Sequence, residues 1–124
     1  MSDYRIEYYR NSRTGRELVR EYISELRPKE KSKIYQQLEV LLESNGRVVM
    51  PYGRHIDGKI WELRVQFSPL AHRILYVCVQ HKTIVLLHAF TKKTEKLPRR
   101  ELERAYNNYS DTLDNIKYYY EKTN

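Results

Sequence analysis

The sequence predicts a small α+β domain of order β-α-α-β-β-β-α, on three observations. Two stretches of helical apolar spacing meet at Pro28. Three strand-like segments then follow between Ile60 and Thr91, joined by turns too short for a crossover. A last helical stretch opens at Leu97-Pro98. Short connections between strands require an antiparallel meander. The helices are expected on one face of it.

Each element has its own signal. Tyr4-Arg5-Ile6-Glu7-Tyr8-Tyr9 alternates and is rich in strand formers, so it reads as a first strand. Asn11-Ser12-Arg13-Thr14-Gly15 breaks it. From Arg16 to Leu26, Leu18, Val19, Tyr22, Ile23 and Leu26 recur on one helical face. Pro28 ends that helix and sits where the first turn of the next tolerates it. The second helix runs Lys29–Ser44, with Ile34, Leu38, Leu41 and Leu42 as its stripe, and stops at Asn45-Gly46. The pair forms an N-terminal helical hairpin.

Arg47–Lys59, punctuated by Pro51, Gly53 and Gly58, reads as a basic loop. In Ile60–Phe67, Trp61, Leu63, Val65 and Phe67 point one way; Glu62, Arg64 and Gln66 point the other. Ser68-Pro69-Leu70-Ala71 reads as a turn, His72–Gln80 as an apolar strand, and Thr83–Thr91 as the last strand. The C-terminal helix presents Leu102, Ala105, Tyr106, Tyr109, Leu113 and Ile116.

The 124 residues make one domain, 1–124, with enough chain for a core of its own. Cys78 alone cannot form a disulfide within the chain, and its apolar strand predicts a buried thiol. No run reaches the ~20 apolar residues of a membrane span. The start Met1-Ser2-Asp3-Tyr4 lacks a signal-peptide pattern, so a cytoplasmic protein without a membrane role is expected.

A formal charge of +7 calls for a polyanionic partner. With 12 Tyr against 2 Phe and 1 Trp, the aromatic balance suits surfaces on which bases stack. Phosphate-loop, dinucleotide and zinc-ligand motifs are absent from the sequence, and His55, His72, His81 and His88 are dispersed, so neither metal nor cofactor is expected.

The placement of cations on strands stands out. Arg64 lies mid-strand, Arg73 near the start of the next strand, and Lys92-Lys93 at the end of the last. A meander brings these ends together. Two cations ~6 Å apart at an effective dielectric of ~20 repel by about 3 kcal/mol. Such a cluster persists when carboxylates offset it or an anion binds, and Glu62 is the one local carboxylate. Beyond the strand, Lys96, Arg99, Arg100 and Arg104 continue the basic run past Glu95, Glu101 and Glu103.

Trp61-Glu62-Leu63-Arg64, Arg73-Ile74-Leu75-Tyr76, the run Leu86–Thr94 and the trailing Pro98–Ala105 resemble the phage Gp49-like branch of HigB toxins, within the RelE/ParE superfamily of type II toxins. The resemblance covers the whole element order. It implies a RelE-like sheet and a metal-independent, ribosome-dependent endoribonuclease that cuts translated mRNA. It also implies neutralisation in a hetero-oligomeric complex with a helix-turn-helix, HigA-like antitoxin. Carried over, it points to Arg64, Arg73, Lys93 and Lys92 as catalytic residues. Phe90, Arg54, His55, Lys59 and His88 are the candidate RNA contacts. A 2′-OH would attack the adjacent phosphate, with arginine forks on the phosphate oxygens. For the proton transfer, a lysine of the cluster, His88 and His55 all stay open. Alternation places His88 with Leu86 and Phe90, which equally suits a buried structural histidine. The same scaffold also serves ParE-type gyrase poisons, and a basic binding module without catalysis is a further alternative.

Overall fold

The structure, a computed structural model, describes residues 3–94 and 96–120. Glu95, part of the basic run after the last strand, lies outside the described residues, as do Met1 and Ser2 of the N-terminal reading. The elements are β1 (Arg5–Tyr8), α1 (Leu18–Ser24), α2 (Pro28–Glu43), β2 (Gly53–Asp57), β3 (Ile60–Phe67), β4 (Leu70–Val79), β5 (Thr83–Lys92), α3 (Arg99–Asp114) and α4 (Ile116–Tyr120). They form one five-stranded sheet of order β1-β5-β4-β3-β2.

The meander β3-β4-β5 is antiparallel throughout, as the short turns require. β1 joins it in parallel beside β5. Pro28 opens α2 at its first turn. Leu70 pairs with Phe67, so β4 begins inside the segment read as a turn.

Two readings of the architecture need correction. The basic loop contains a strand: Arg54 pairs with Glu62 and His55 with Trp61, which makes β2 the sheet edge. Gly53 permits this, because a Cβ there would sit 2.3 Å from the Glu62 carbonyl oxygen and 2.4 Å from Val48 Cγ2. The helices also cover both faces rather than one. Val19, Ile23, Ile34, Leu38 and Leu41 of the hairpin pack on Leu63, Val65, Ile74, Tyr76, Ile84 and Leu86. Ala105 and Tyr119 of the C-terminal helices pack on Ile60, Leu75, Val77, Val85 and Leu87. Ile74 and Leu75, consecutive in β4, are both fully buried on opposite faces. Burial of each such side chain contributes roughly 1.5–3 kcal/mol.

Cys78 is exposed, not buried. It shares the hairpin side with Ile74 and Tyr76, but α2 has already ended at Glu43, and Gly46 lies beside its Sγ. Leu113, read as apolar face, is likewise exposed.

Polar clasps fix each helical layer. On the hairpin side, Tyr22 Oη lies 2.7 Å from His72 Nδ1, and Glu30 Oε2 lies 2.6 Å from His72 Nε2. Tyr22 also meets Thr91. On the other side, Tyr9 Oη donates to Asp111 Oδ2 at 2.6 Å, and Ser12 donates to the same carboxylate through Oγ and the backbone N–H. No helix among the described residues is long and apolar enough to cross a membrane.

Candidate functional site

The register gathers the strand cations on the face that carries α3. Arg54, Glu62, Leu75 and His88 occupy one row across β2, β3, β4 and β5. Arg64, Arg73 and Phe90 occupy the next row, then Gln66, Ala71 and Lys92. Alternation keeps these positions on one side, because adjacent rows lie two residues apart along each strand.

At the centre lies a buried ionic knot. Arg73 is 0% exposed and Glu62 2%. Arg73 Nη1 lies 3.7 Å from Glu62 Oε2, and Arg54 Nε lies 3.4 Å from Glu62 Oε1. Arg73 Nη2 also donates to the backbone carbonyl of Thr94. That bond ties the segment after Lys92-Lys93 down onto the sheet. Burial pushes the Glu62 carboxyl above its ordinary range, against the opposing pull of Arg73, Arg54 and Arg64.

Around the knot the cations are open to solvent. Arg64 is half-buried, and its Nη2 donates to Gln66 Oε1 at 3.2 Å. Lys92 is half-buried and Lys93 exposed. The expected clustering of Arg64, Arg73 and the Lys92-Lys93 end is therefore present in the register.

Other candidates are placed differently. Phe90 is only 7% exposed, packed in the α3-side core and stacked on His88 with centroids 5.8 Å apart. His55 pairs with Trp61, on the opposite face from Arg64, and its Nε2 lies 2.7 Å from the Gly58 carbonyl. Lys59 lies in the β2–β3 turn, roughly 20 Å along β3 from the Lys92 row.

His88 contradicts strict alternation. Between Leu75↔His88 and Tyr76↔Leu86 the register shifts by a bulge at Leu87. A bulge puts two successive residues on one side. His88 thus shares a face with Leu87 and Phe90, but not with Leu86.

Two site residues escaped the sequence reading. Glu101 of α3 accepts from or pairs with His88 Nε2 at 2.7 Å. Only the tertiary packing of α3 reveals that contact. Tyr52 is 46% exposed, and its carbonyl accepts from the Arg64 N–H at 2.8 Å. It continues the β2 side of the Arg64 row, and recognising β2 as a strand would have placed it there.

No group of three or more His, Cys, Asp or Glu among the described residues is placed to hold a metal ion. A search of curated proteins finds no match. The family model described as phage-derived protein Gp49-like (DUF891) matches residues 21–110, which take in most of the hairpin, the meander and most of α3. That match takes in every residue of the cationic strip, and on it the chain belongs to the phage-derived Gp49-like family, a toxin-like family.

Proposed function

We propose that the chain is the toxin of a type II toxin–antitoxin pair and acts as a ribosome-dependent, metal-independent endoribonuclease on translated mRNA. The observation that supports this most is the row Arg64–Arg73, flanked by Glu62 and closed by Lys92 and Lys93. Arg64 supplies a planar fork for two phosphate oxygens. Lys92 and Lys93 meet the same charge as it builds in the transition state. One such donor contributes ~3–4 kcal/mol, a factor of 10²–10³ in rate.

Arg73 works from beneath as a positioning residue. It holds Glu62 on one side and the Thr94 carbonyl on the other. The lysine segment is thereby fixed over the sheet. Tyr52, exposed beside Arg64, offers a ring for a base to stack on. Arg54 extends the backbone track toward the sheet edge. A HigA-like antitoxin silences the protein by covering this cationic face.

The test is to add the purified protein to ribosomes translating a defined mRNA. Cleavage within the translated region is expected. Intact transcripts, or a DNA-damage response on induction in cells without mRNA fragmentation, would overturn the reading.

A further inference from the structure

We propose that His88 is the general base of the cleavage reaction and that Glu101 is its positioning residue; this rests on the ribonuclease reading above. The bulge at Leu87 sets Leu87 beside His88 on the face that carries the cationic strip. Bulges recur beside active sites because they re-aim a side chain. This one is pinned: Asn108 Nδ2 donates to the Leu87 carbonyl at 2.9 Å.

The pair has the geometry of an oriented imidazole. His88 Nε2 lies 2.7 Å from Glu101 Oε1. A carboxylate accepts only, so the neutral ring carries its proton on Nε2 and its lone pair on Nδ1. Nδ1 has no hydrogen-bond partner among the described residues. His72, by contrast, has both ring nitrogens engaged, by Tyr22 and Glu30.

His88 also opens onto space. Together with Leu18, Arg104, Asn107 and Asn108 it lines a cleft of about 220 Å³ between α1, β5 and α3. That is below the ~300 Å³ at which sites for whole small molecules begin. The cleft therefore takes part of a nucleotide. Arg104 supplies a cation in it, and Asn107 an amide.

The strip connects this cleft to the phosphate clamp. Phe90 stacks on His88 and pairs in register with Arg73, which pairs with Arg64. Two strand spacings, ~10 Å, separate the Arg64 and Phe90 backbones.

In the reaction the 2′-hydroxyl gives its proton to His88 Nδ1. The O2′–P bond forms and the P–O5′ bond breaks. The departing O5′ takes a proton from water, and His88 later returns its proton to solvent. The products are a 2′,3′-cyclic phosphate and a 5′-hydroxyl. Glu101 favours the imidazolium that forms. Arg100, whose Nε lies 3.9 Å from Glu101 Oε2, and Arg104 are the other α3 charges near the pair. Leu75 and Phe90 from the sheet and Leu18 from α1 bring no charge to it.

The experiment measures cleavage of translated mRNA by wild type, His88→Ala, His88→Gln and Glu101→Gln across pH, with and without added imidazole. His88→Ala is expected to lower kcat by ~10²-fold or more, with imidazole restoring part of it. Glu101→Gln should shift the acidic limb of the pH–rate profile to lower pH. His88→Gln keeps a donor for Glu101 and covers the case in which the alanine variant does not fold; it too should be inactive. If wild type cleaves and a folded His88 variant cleaves equally well, the base assignment falls and the ribonuclease reading stands. Lost activity that imidazole does not restore, with an unmoved profile in Glu101→Gln, makes the pair a structural latch and overturns the proposal. If wild type itself does not cleave, both readings fall together.

Discussion

Arg64 and Arg73 face each other as cross-strand partners on β3 and β4, yet one is half-exposed and the other fully buried. The difference divides their roles. Arg64 keeps part of its side chain open to solvent at the sheet surface. Arg73 is committed to Glu62 and the Thr94 carbonyl.

Arg73→Met is therefore expected to destabilise the protein by about 3–5 kcal/mol, because it removes the fully buried partner of a buried carboxylate and leaves it to the more exposed Arg54 and Arg64. Urea denaturation checks this. A midpoint within error of wild type would mean that Arg73 is not structural. Loss of toxicity in an Arg73 variant is thus no clean report on catalysis.

Tyr52→Ala should weaken RNA engagement by about 1–3 kcal/mol, the range for a lost base–aromatic stack, while Tyr52→Phe keeps it. Tyr52 is exposed, so its loss should disturb the core little. Binding of single-stranded RNA, followed by titration, checks the pair. Equal affinity in all three proteins would remove Tyr52 from the interface.

Gly53→Ala should cost about 1–3 kcal/mol, because the new methyl meets the Glu62 backbone carbonyl and Val48, neither of which is a flexible chain end. Hydrogen exchange should show the loss first in β2. Unchanged protection there would contradict the close packing of the edge strand.

Asp111 gives a pH prediction. Burial opposes its ionisation, but hydrogen bonds from Ser12 and Tyr9 outweigh that and hold its carboxyl below the ordinary range. A depressed carboxyl contributes stability above its unfolded value and loses it as pH falls through the folded one. Stability should thus fall below about pH 4. Asp111→Asn should flatten that slope and cost about 1 kcal/mol at pH 7, since the site is partly open to solvent. An unaltered acid limb would contradict the clasp. Glu62 acts in the opposite sense: its raised carboxyl favours folding at low pH and loses that contribution as pH rises.

Much of this architecture is legible in residue order. The hairpin break at Pro28, the three meander strands and the meeting of Arg73 with the Lys92 end all follow from local pattern. The run Ile74–Val77 carries the pattern of double-sided burial, since a strand with one wet face would alternate, although helices on one face only were expected. The rest depends on contacts that no local pattern encodes. β2 is hidden by Pro51, Gly53 and Gly58, although Gly53 is the residue that lets the strand approach. One inserted residue, Leu87, moves Leu86 off the face that His88 shares with Phe90. Glu101 reaches His88 only because α3 folds back across the sheet.

The proposed function assigns RNA cleavage to the cationic strip. Mapping cleavage ends on translated mRNA with wild type and Arg64→Ala tests it most directly. Arg64 is outside the buried knot, so the variant is expected to fold as wild type does. Discrete breaks with 5′-hydroxyl ends are expected for wild type, and a 10²–10³-fold slower reaction for the variant. Intact mRNA with folded wild-type protein, or equal cleavage by Arg64→Ala, would contradict it.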